Sequence, residues 1–575
     1  VCVLLALFII MSITACGETE NTTAATTTST ETTSETTAAT TETGLPELNE
    51  NGDYTIELPL SDDLVTFSMW GGTPYTGSGL NDQNESVARQ ELEARTNVHI
   101  EWTHPVSGQE QAQFNLMVAS NIYTDAIFGA TGYMVGGVDK YINDEVIIDL
   151  APYSEYFPNY MLRRAEANEL DPDCLRMTVT DQGRLGFIQS IKKTLQGSYG
   201  GFMVRKDATD ELGIDTDKVD TYDDWYDMLT QLKAYGFEIP FVEQKSTNGY
   251  LGANSLFLAG RDSGVKLFQI DGQVMYGPYT EGYKENLKML AQWYAEGLYD
   301  QDFYSRTNPD SETMCLNGKA ACSYIQRNNY DRYNASTVDG GQWIAIEVPR
   351  QSPDQIRKVG GMMVWKYATN SAYTISTQCD ESKIPYMLKY FDYGFTYDGY
   401  ILYNYGIEGK SFNFIDGKPT LTDEMLNNPD GLSIEQMITI NCIHHNCSSC
   451  LYDWERTLGE NTSEYEKFGA SEVWDEHITP ESFQYMPSLS IKEDVQTEYA
   501  AKLNDINTMA EEYSVKFISG EMDIDTQYDS FIAEMERMGI QQVLEWAQEA
   551  YESYLNRDIT VGYTEAELVQ YGIME

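Results

Sequence analysis

The sequence predicts an α/β fold with a helix-rich C-terminal part. From Leu64 to Ala130, strand, helix, strand, helix and strand patterns follow one another, the order of a parallel sheet with covering helices. From Thr221 onward, apolar residues recur mostly at spacings of three and four, the helical period. The 575 residues are 42% hydrophobic and 12% aromatic, enough to build the cores of two or three domains.

In LVTFSMW, Val65, Phe67 and Met69 alternate with Leu64, Thr66, Ser68 and Trp70, and Gly71-Gly72 ends the strand. NESVARQELEART reads as a helix with Ala88 and Leu92 turned inward, and Val98, Ile100 and Trp102 alternate as a second strand. QEQAQFNLMVAS puts Phe114, Met117 and Val118 on one helical face, and TDAIFGA is a short buried strand. Thr221 with Asp224 marks a capped helix start ahead of WYDMLTQLK. Tyr283, Leu287, Leu290 and Tyr294 mark another helix, as do Ile384, Met387, Leu388 and Phe391. Val495, Tyr499, Leu503, Ile506, Ala510, Tyr513 and Phe517 trace a long one near the end. There is no internal repeat of fixed period.

The front of the chain has a different chemistry. The apolar run VCVLLALFIIMSITA stops at Cys16, short of the roughly 20 residues that a spanning helix needs. Such a segment, ending in small residues and a Cys, reads as a secretory signal peptide. Ile13-Thr14-Ala15-Cys16 resembles a bacterial lipobox, which implies cleavage before Cys16, acylation of that residue and tethering outside the cell. Val1 stands where an initiator Met is expected and no basic segment precedes the apolar run, so 1–15 is read as an N-terminally incomplete signal peptide. Glu18 to Thr43 holds no side chain larger and more apolar than Ala, so it cannot offset its ordering entropy. Residues 16–50 are therefore expected to be a lipidated Cys and a disordered stalk, with the folded body beginning near Tyr54.

With 90 acidic and 37 basic side chains the net charge is −53, which argues against nucleic acid and anionic ligands and leaves neutral or cationic ones open. Of nine Cys, Cys2 leaves with the signal and Cys16 takes lipid. The scattered seven that remain are no disulfide framework of the small secreted kind. Cys442, His444, His445, Cys447 and Cys450 are soft donors at close spacing, with Cys447 and Cys450 on one face if the segment is helical. Structural thiols or a disulfide are the expected reading there, and neither metal nor cofactor is expected.

The stretches ELEARTNVHIEW, QFNLMVASNIYTDAIFG, YINDEVIIDLAPYSEYFPNY, GGFMVRKDATDELGI, TYDDWYDML, LKYFDYGFTYDGYILYNYGIEG and KFISGEMDIDTQYDSFIAEMERMGIQQVLEWAQEAYESY occur in this order. Together they resemble the family 1 extracellular solute-binding proteins, the lipoprotein components of sugar-type ABC importers. The resemblance implies a two-lobe periplasmic-binding-protein type 2 fold that closes on a ligand held between lobes and delivers it to a membrane permease. Lobe 1 is then expected over 54–198 and 359–397 and lobe 2 over 199–358 and 398–575. Crossings are expected near Tyr199 to Phe202, Val359 to Gly361 and Thr396 to Tyr400. A monomer carrying a carbohydrate, with an oligosaccharide favoured, is the expected working form.

A sugar receptor needs flat aromatic faces and a few fixed hydrogen-bonding groups in a concave site. Aromatics at strand ends or beside glycines are the best candidates, because loops at the carboxyl ends of parallel strands line the crevice of open α/β sheets. Trp70 before Gly71-Gly72, Asp125 before a short strand, Tyr199 beside Gly200-Gly201 and Trp365 after Gly360-Gly361 meet that test. The resemblance adds Tyr324, after NGKAACS. Trp293, Trp454 and Trp546 sit in helical patterns and are read as core. No H-E-x-x-H helix or G-x-S-x-G elbow occurs, and NYGIEGKS has Asn404 where a phosphate loop requires its first Gly. No enzyme is expected, with a carbohydrate-active hydrolase and a surface adhesin as the alternatives.

Overall fold

The alternating run before Gly71 forms the first strand of a sheet, as its period requires. The structure, a computed structural model, describes residues 45–574 except 75–77, 172, 194–199, 244–253, 327–328, 360–367, 429, 433, 444–447, 454–469, 480–481 and 483–485. Chain contacts divide the protein at Glu47, and among the described residues the strands lie in the body from Leu48 onward. They are β1 (Val65–Trp70), β2 (Val98–Thr103), β3 (Ala126–Phe128), β4 (Ile188–Lys192), β5 (Gly200–Arg205), β6 (Ile239–Val242) and β7 (Leu267–Ile270). There follow β8 (Gln273–Tyr276), β9 (Ala320–Gln326), β10 (Trp343–Ile346), β11 (Ala368–Ile375), β12 (Phe412–Ile415), β13 (Lys418–Leu421) and β14 (Leu451–Tyr452).

The first sheet has the order β14-β4-β11-β3-β1-β2 and the second β10-β5-β9-β6; β7–β8 and β12–β13 are separate hairpins. The predicted β-α-β-α-β unit is present, with β1 parallel to both β2 and β3 and with Ala88 and Leu92 fully buried in the helix Val87–Thr96. Thr221 caps the helix Tyr222–Tyr235 through the reciprocal bonds with Asp224 that the sequence suggests.

Each sheet has its own core. Phe67, Tyr160, Ile188, Tyr373 and Phe391 belong to the first, and Phe202, Trp225, Phe241, Trp293 and Trp343 to the second. The C-terminal helices Glu493–Ile518, Ile524–Met538 and Ile540–Leu555 place Ile506, Phe517, Phe531 and Val543 in the second core. The tail then returns to the first: Tyr563 Oη donates to Met161 O at 2.8 Å, and the hydroxyls of Tyr571 and Tyr54 lie 2.6 Å apart.

The chain passes between sheets from Lys193 to Gly200 and from Val359, in the second core, to Ala368 in β11. The third crossing differs from the expected one. Thr396 caps the helix Tyr397–Asn404, whose Leu402 and Tyr403 are buried in the first core, and Leu451 N bonds Gly394 O at 2.9 Å. The described residues between Asp398 and Tyr452 therefore pack with the first sheet, and the chain leaves it after Asp453 for the helix Ala470–Asp475, beside β5. NYGIEGKS closes the helix Tyr397–Asn404 and turns into β12, with Ser411 Oγ donating to Tyr405 O, so it is structural.

Candidate functional site

Because β3 and β4 both run antiparallel to β11, and β14 runs parallel to β4, one edge of the first sheet gathers Trp70, Thr103, Phe128, Lys192 and Tyr452 with the start of β11. Three crossings meet the sheet at that edge. In the second sheet, Gly200 lies opposite Gln326, and Ile346 opposite Phe202, so the starts of β5 and the ends of β9 and β10 share an edge. The carboxyl-end rule for open sheets thus selects the region served by the crossings.

The sequence-selected residues divide between the sheets. Trp70 is 5% exposed and packs on Phe114 with ring centroids 6.1 Å apart, which makes it part of a core rather than an open face. Asp125 is engaged by β1: Ser68 N and Oγ donate to its Oδ2 at 2.7 and 2.8 Å. Tyr324 belongs to the second sheet, opposite Phe202, and is 3% exposed. Cys16, Tyr199, Trp365 and Trp454, like His444, His445 and Cys447, lie outside the described residues. Cys442 and Cys450 are buried, and Cys450 precedes β14 outside any helix.

Gly200 and Gly201 are required by close approach. A Cβ on Gly200 would lie 2.7 Å from Tyr324 Oη, and one on Gly201 2.5 Å from Trp474 Nε1, which donates to Phe202 O at 3.0 Å. Gly201→Ala is therefore expected to displace Trp474 and cost about 1–3 kcal/mol, the usual penalty of overpacking. Urea denaturation followed by tryptophan fluorescence measures it, and an unchanged midpoint would show that Trp474 is not held as described.

A cavity of about 410 Å³ lies between the first sheet's loops and the C-terminal helices. Thr131 and Met134, after β3, and Phe187 and Gln189, leading through β4, line one side; Leu489, Gln496, Tyr499 and Tyr554 line the other. Its charged groups are already paired. Asp139 accepts from Arg184 Nε at 2.9 Å and Thr180 Oγ1 at 2.7 Å, and Arg557 Nε donates to Asp181 at 2.6 Å. Burial pushes the Tyr499 phenol up to about 12, so it keeps its proton and can donate. Gln189 is 6% exposed, and its Oε1 has no partner among the described residues. A buried acceptor in that state costs about 1–3 kcal/mol. Asp139 is the single acid in the lining, so the cavity lacks the carboxylate pair of a glycosidase among the described residues.

Gln189 and Trp474 were not selected from sequence. A Gln within the mostly apolar FIQSI was the available signal for the first; no local pattern marks the second.

Residues 492–556 match a family described as a domain of unknown function, DUF3502. Over 271 residues the chain is 26% identical to the fructooligosaccharide ABC transporter substrate-binding protein FusA of Streptococcus pneumoniae, covering 44% of this chain. That alignment spans 48%, about half, of the curated relative's length. An HMO-binding ABC-transporter associated solute-binding protein of Bifidobacterium longum infantis superposes with a TM-score of 0.68 at 17% identity, over 87% of this chain and 100% of that one. The S. pneumoniae FusA structure in complex with fructo-nystose gives 0.63 at 17% identity, over 85% and 99%.

The chain has the ABC solute-binding protein fold. The two sheets thus correspond to the two lobes of the solute-binding fold. In this solute-binding fold the helices 492–556 form a block rooted in the second core with its ends beside the cavity.

Proposed function

We propose that this chain is the solute-capturing component of a sugar-type ABC importer, tethered by acylated Cys16 to the outer face of the membrane and working as a monomer. It binds a neutral oligosaccharide between its lobes and passes it to a membrane permease. The observation that carries this reading is the interlobe cavity, whose lining is uncharged in effect, bears the aromatic Tyr499 and Phe187, and includes the amide residue Gln189, whose buried Oε1 has no partner among the described residues. Hydroxyl donors on a sugar ring complete such an acceptor, and ring C–H faces suit the aromatics. The oligosaccharides named for FusA and the Bifidobacterium protein support the ligand class. Among the described residues no helix is long and apolar enough to cross a membrane, which is compatible with a lipid tether.

In this reading Tyr199 and Trp365, which lie outside the described residues, are ligand-binding candidates by their place in the sequence. Trp70, Asp125 and Tyr324 brace the facing edges and act on the ligand through the loops they support.

Calorimetry against fructo-oligosaccharides and other neutral oligosaccharides tests the proposal. A ligand at a hundredfold over its dissociation constant is expected to add about 2.7 kcal/mol of stability. Gln189→Ala is expected to weaken binding about tenfold, the equivalent of one hydrogen bond. Silence across the panel would overturn the reading.

A further inference from the structure

The block 492–556 is anchored in one lobe but meets the other at both of its ends. Gln496, Tyr499 and Ala500 come from the first two turns of the helix Glu493–Ile518, and Tyr554 from the last turn of Ile540–Leu555. Three helices thus bring residues more than fifty apart in sequence to one wall of the cavity. Ionic contacts fasten this wall to the first lobe: Lys140 Nζ lies 3.4 Å from Glu493, and Arg557, just beyond the block, is 2.6 Å from Asp181. A Cβ on Gly136 would come within 3.1 Å of Gln496 Oε1, so the first lobe's backbone runs close against the wall.

Gln496 is partly buried and Ala500 is exposed; Tyr499 is partly buried against the second core and against a small cluster with Val274 and Ala547 that also holds Tyr554, 3% exposed, while Ile506, Phe517 and Val543 supply the block's deeper hydrophobic contacts. A cavity of about 410 Å³ is near the lower end of the roughly 300–1,000 Å³ of small-molecule sites, room for the end of an oligosaccharide rather than all of it.

We infer that the segment 492–556, a domain without assigned function, is a specificity wall: it receives the terminal unit of the oligosaccharide against Gln496, Tyr499 and Tyr554 and sets which chain ends fit. This rests on the capture reading above and assigns its selectivity to one segment. Tyr499 offers a ring face and a phenol donor, Gln496 an adaptable amide, and Ala500 the space that a larger residue would occupy.

The test uses the full chain and neutral di- to pentasaccharides, fructo-oligosaccharides included, measured by calorimetry. Ala500→Trp and, from the adjoining loop, Ser488→Trp fill the cavity at exposed positions; Gln496→Ala removes a polar group. Either Trp variant is expected to lower affinity at least about tenfold for the preferred ligand, and Gln496→Ala to narrow the ranking between ligands by about threefold to tenfold. Melting temperatures within a few degrees of the parent's establish that the variants fold. Parental affinity and ranking in all three, with Gln189→Ala still weakening binding, would overturn the wall while leaving capture intact. Absence of binding by the parent protein would remove the capture reading instead, and the wall with it.

Discussion

Asp392→Ala is expected to destabilise the protein by about 3–5 kcal/mol, because it strips three buried donors of their acceptor. The Asp392 carboxylate, fully buried on the helix Ile384–Tyr393, accepts from Tyr160 N at 2.7 Å, Asn159 Nδ2 at 2.8 Å and Asn159 N at 3.2 Å. It thereby caps the helix Pro158–Leu170 from another part of the chain. Asn159 carries the connection onward, accepting from Tyr54 N at 2.8 Å and donating to Tyr54 O at 3.0 Å, which fastens the first segment of the body. Burial pushes the Asp392 carboxyl up to about 7, against the opposing pull of those donors. Between the ordinary carboxylate range and pH 7 the folded state therefore holds the proton that the unfolded state has lost, so this group's contribution to stability falls as pH rises from about 4 to about 7. Urea midpoints at pH 5 and pH 8 measure the slope, which Asp392→Asn should abolish. An Asp392→Ala variant as stable as the parent would show that the three bonds do not hold the helix.

Lys192→Met is expected to act in the opposite direction, raising stability by about 3 kcal/mol at pH 6, with a gain that shrinks toward pH 10. Lys192 is 3% exposed, at the last position of β4 before the first crossing, and lines a cavity of about 240 Å³ with Lys193 and Tyr400. Burial pushes its ammonium down to about 7, with Asp171 opposing the shift. Above pH 7 the folded state releases a proton that the unfolded state keeps until its ordinary value near 10.5, so stability from this group rises with pH across that window. Below pH 7 both states are charged and the folded state carries the whole desolvation cost. Met keeps the volume and removes the charge, so the rise should vanish with it. Denaturation at pH 6 and pH 10 measures both effects; a less stable variant at pH 6 would mean that the charge is favourably held where it sits. The two groups together place a minimum near neutrality in their joint contribution.

Much of the first lobe was legible because its signals are local. Val65, Phe67 and Met69 alternate because a strand places successive side chains on opposite faces, and Ala88 and Leu92 repeat at four because a helix turns in 3.6 residues. Thr221 and Asp224 cap a helix through bonds that span three residues. Trp70 misled for the same reason: its place before Gly71-Gly72 identifies a strand end, but whether the ring faces a ligand or Phe114 depends on a helix more than forty residues on. Likewise the family resemblance implies a crossing near Thr396 to Tyr400, while Leu402 and Tyr403, buried among first-lobe residues, hold that stretch in the first lobe.

The sequence by itself determined the class of fold, the succession of its elements and an acidic chemistry unsuited to anionic ligands. Periodicity and composition are properties of neighbouring residues and survive without a fold. Only the tertiary structure decided that Gln189 Oε1 would have no partner among the described residues, that Tyr499 and Tyr554 would share a cavity wall, and that the chain would leave the first sheet after Asp453. Those outcomes are set by which distant surfaces exclude water together, and no short stretch of sequence records that choice.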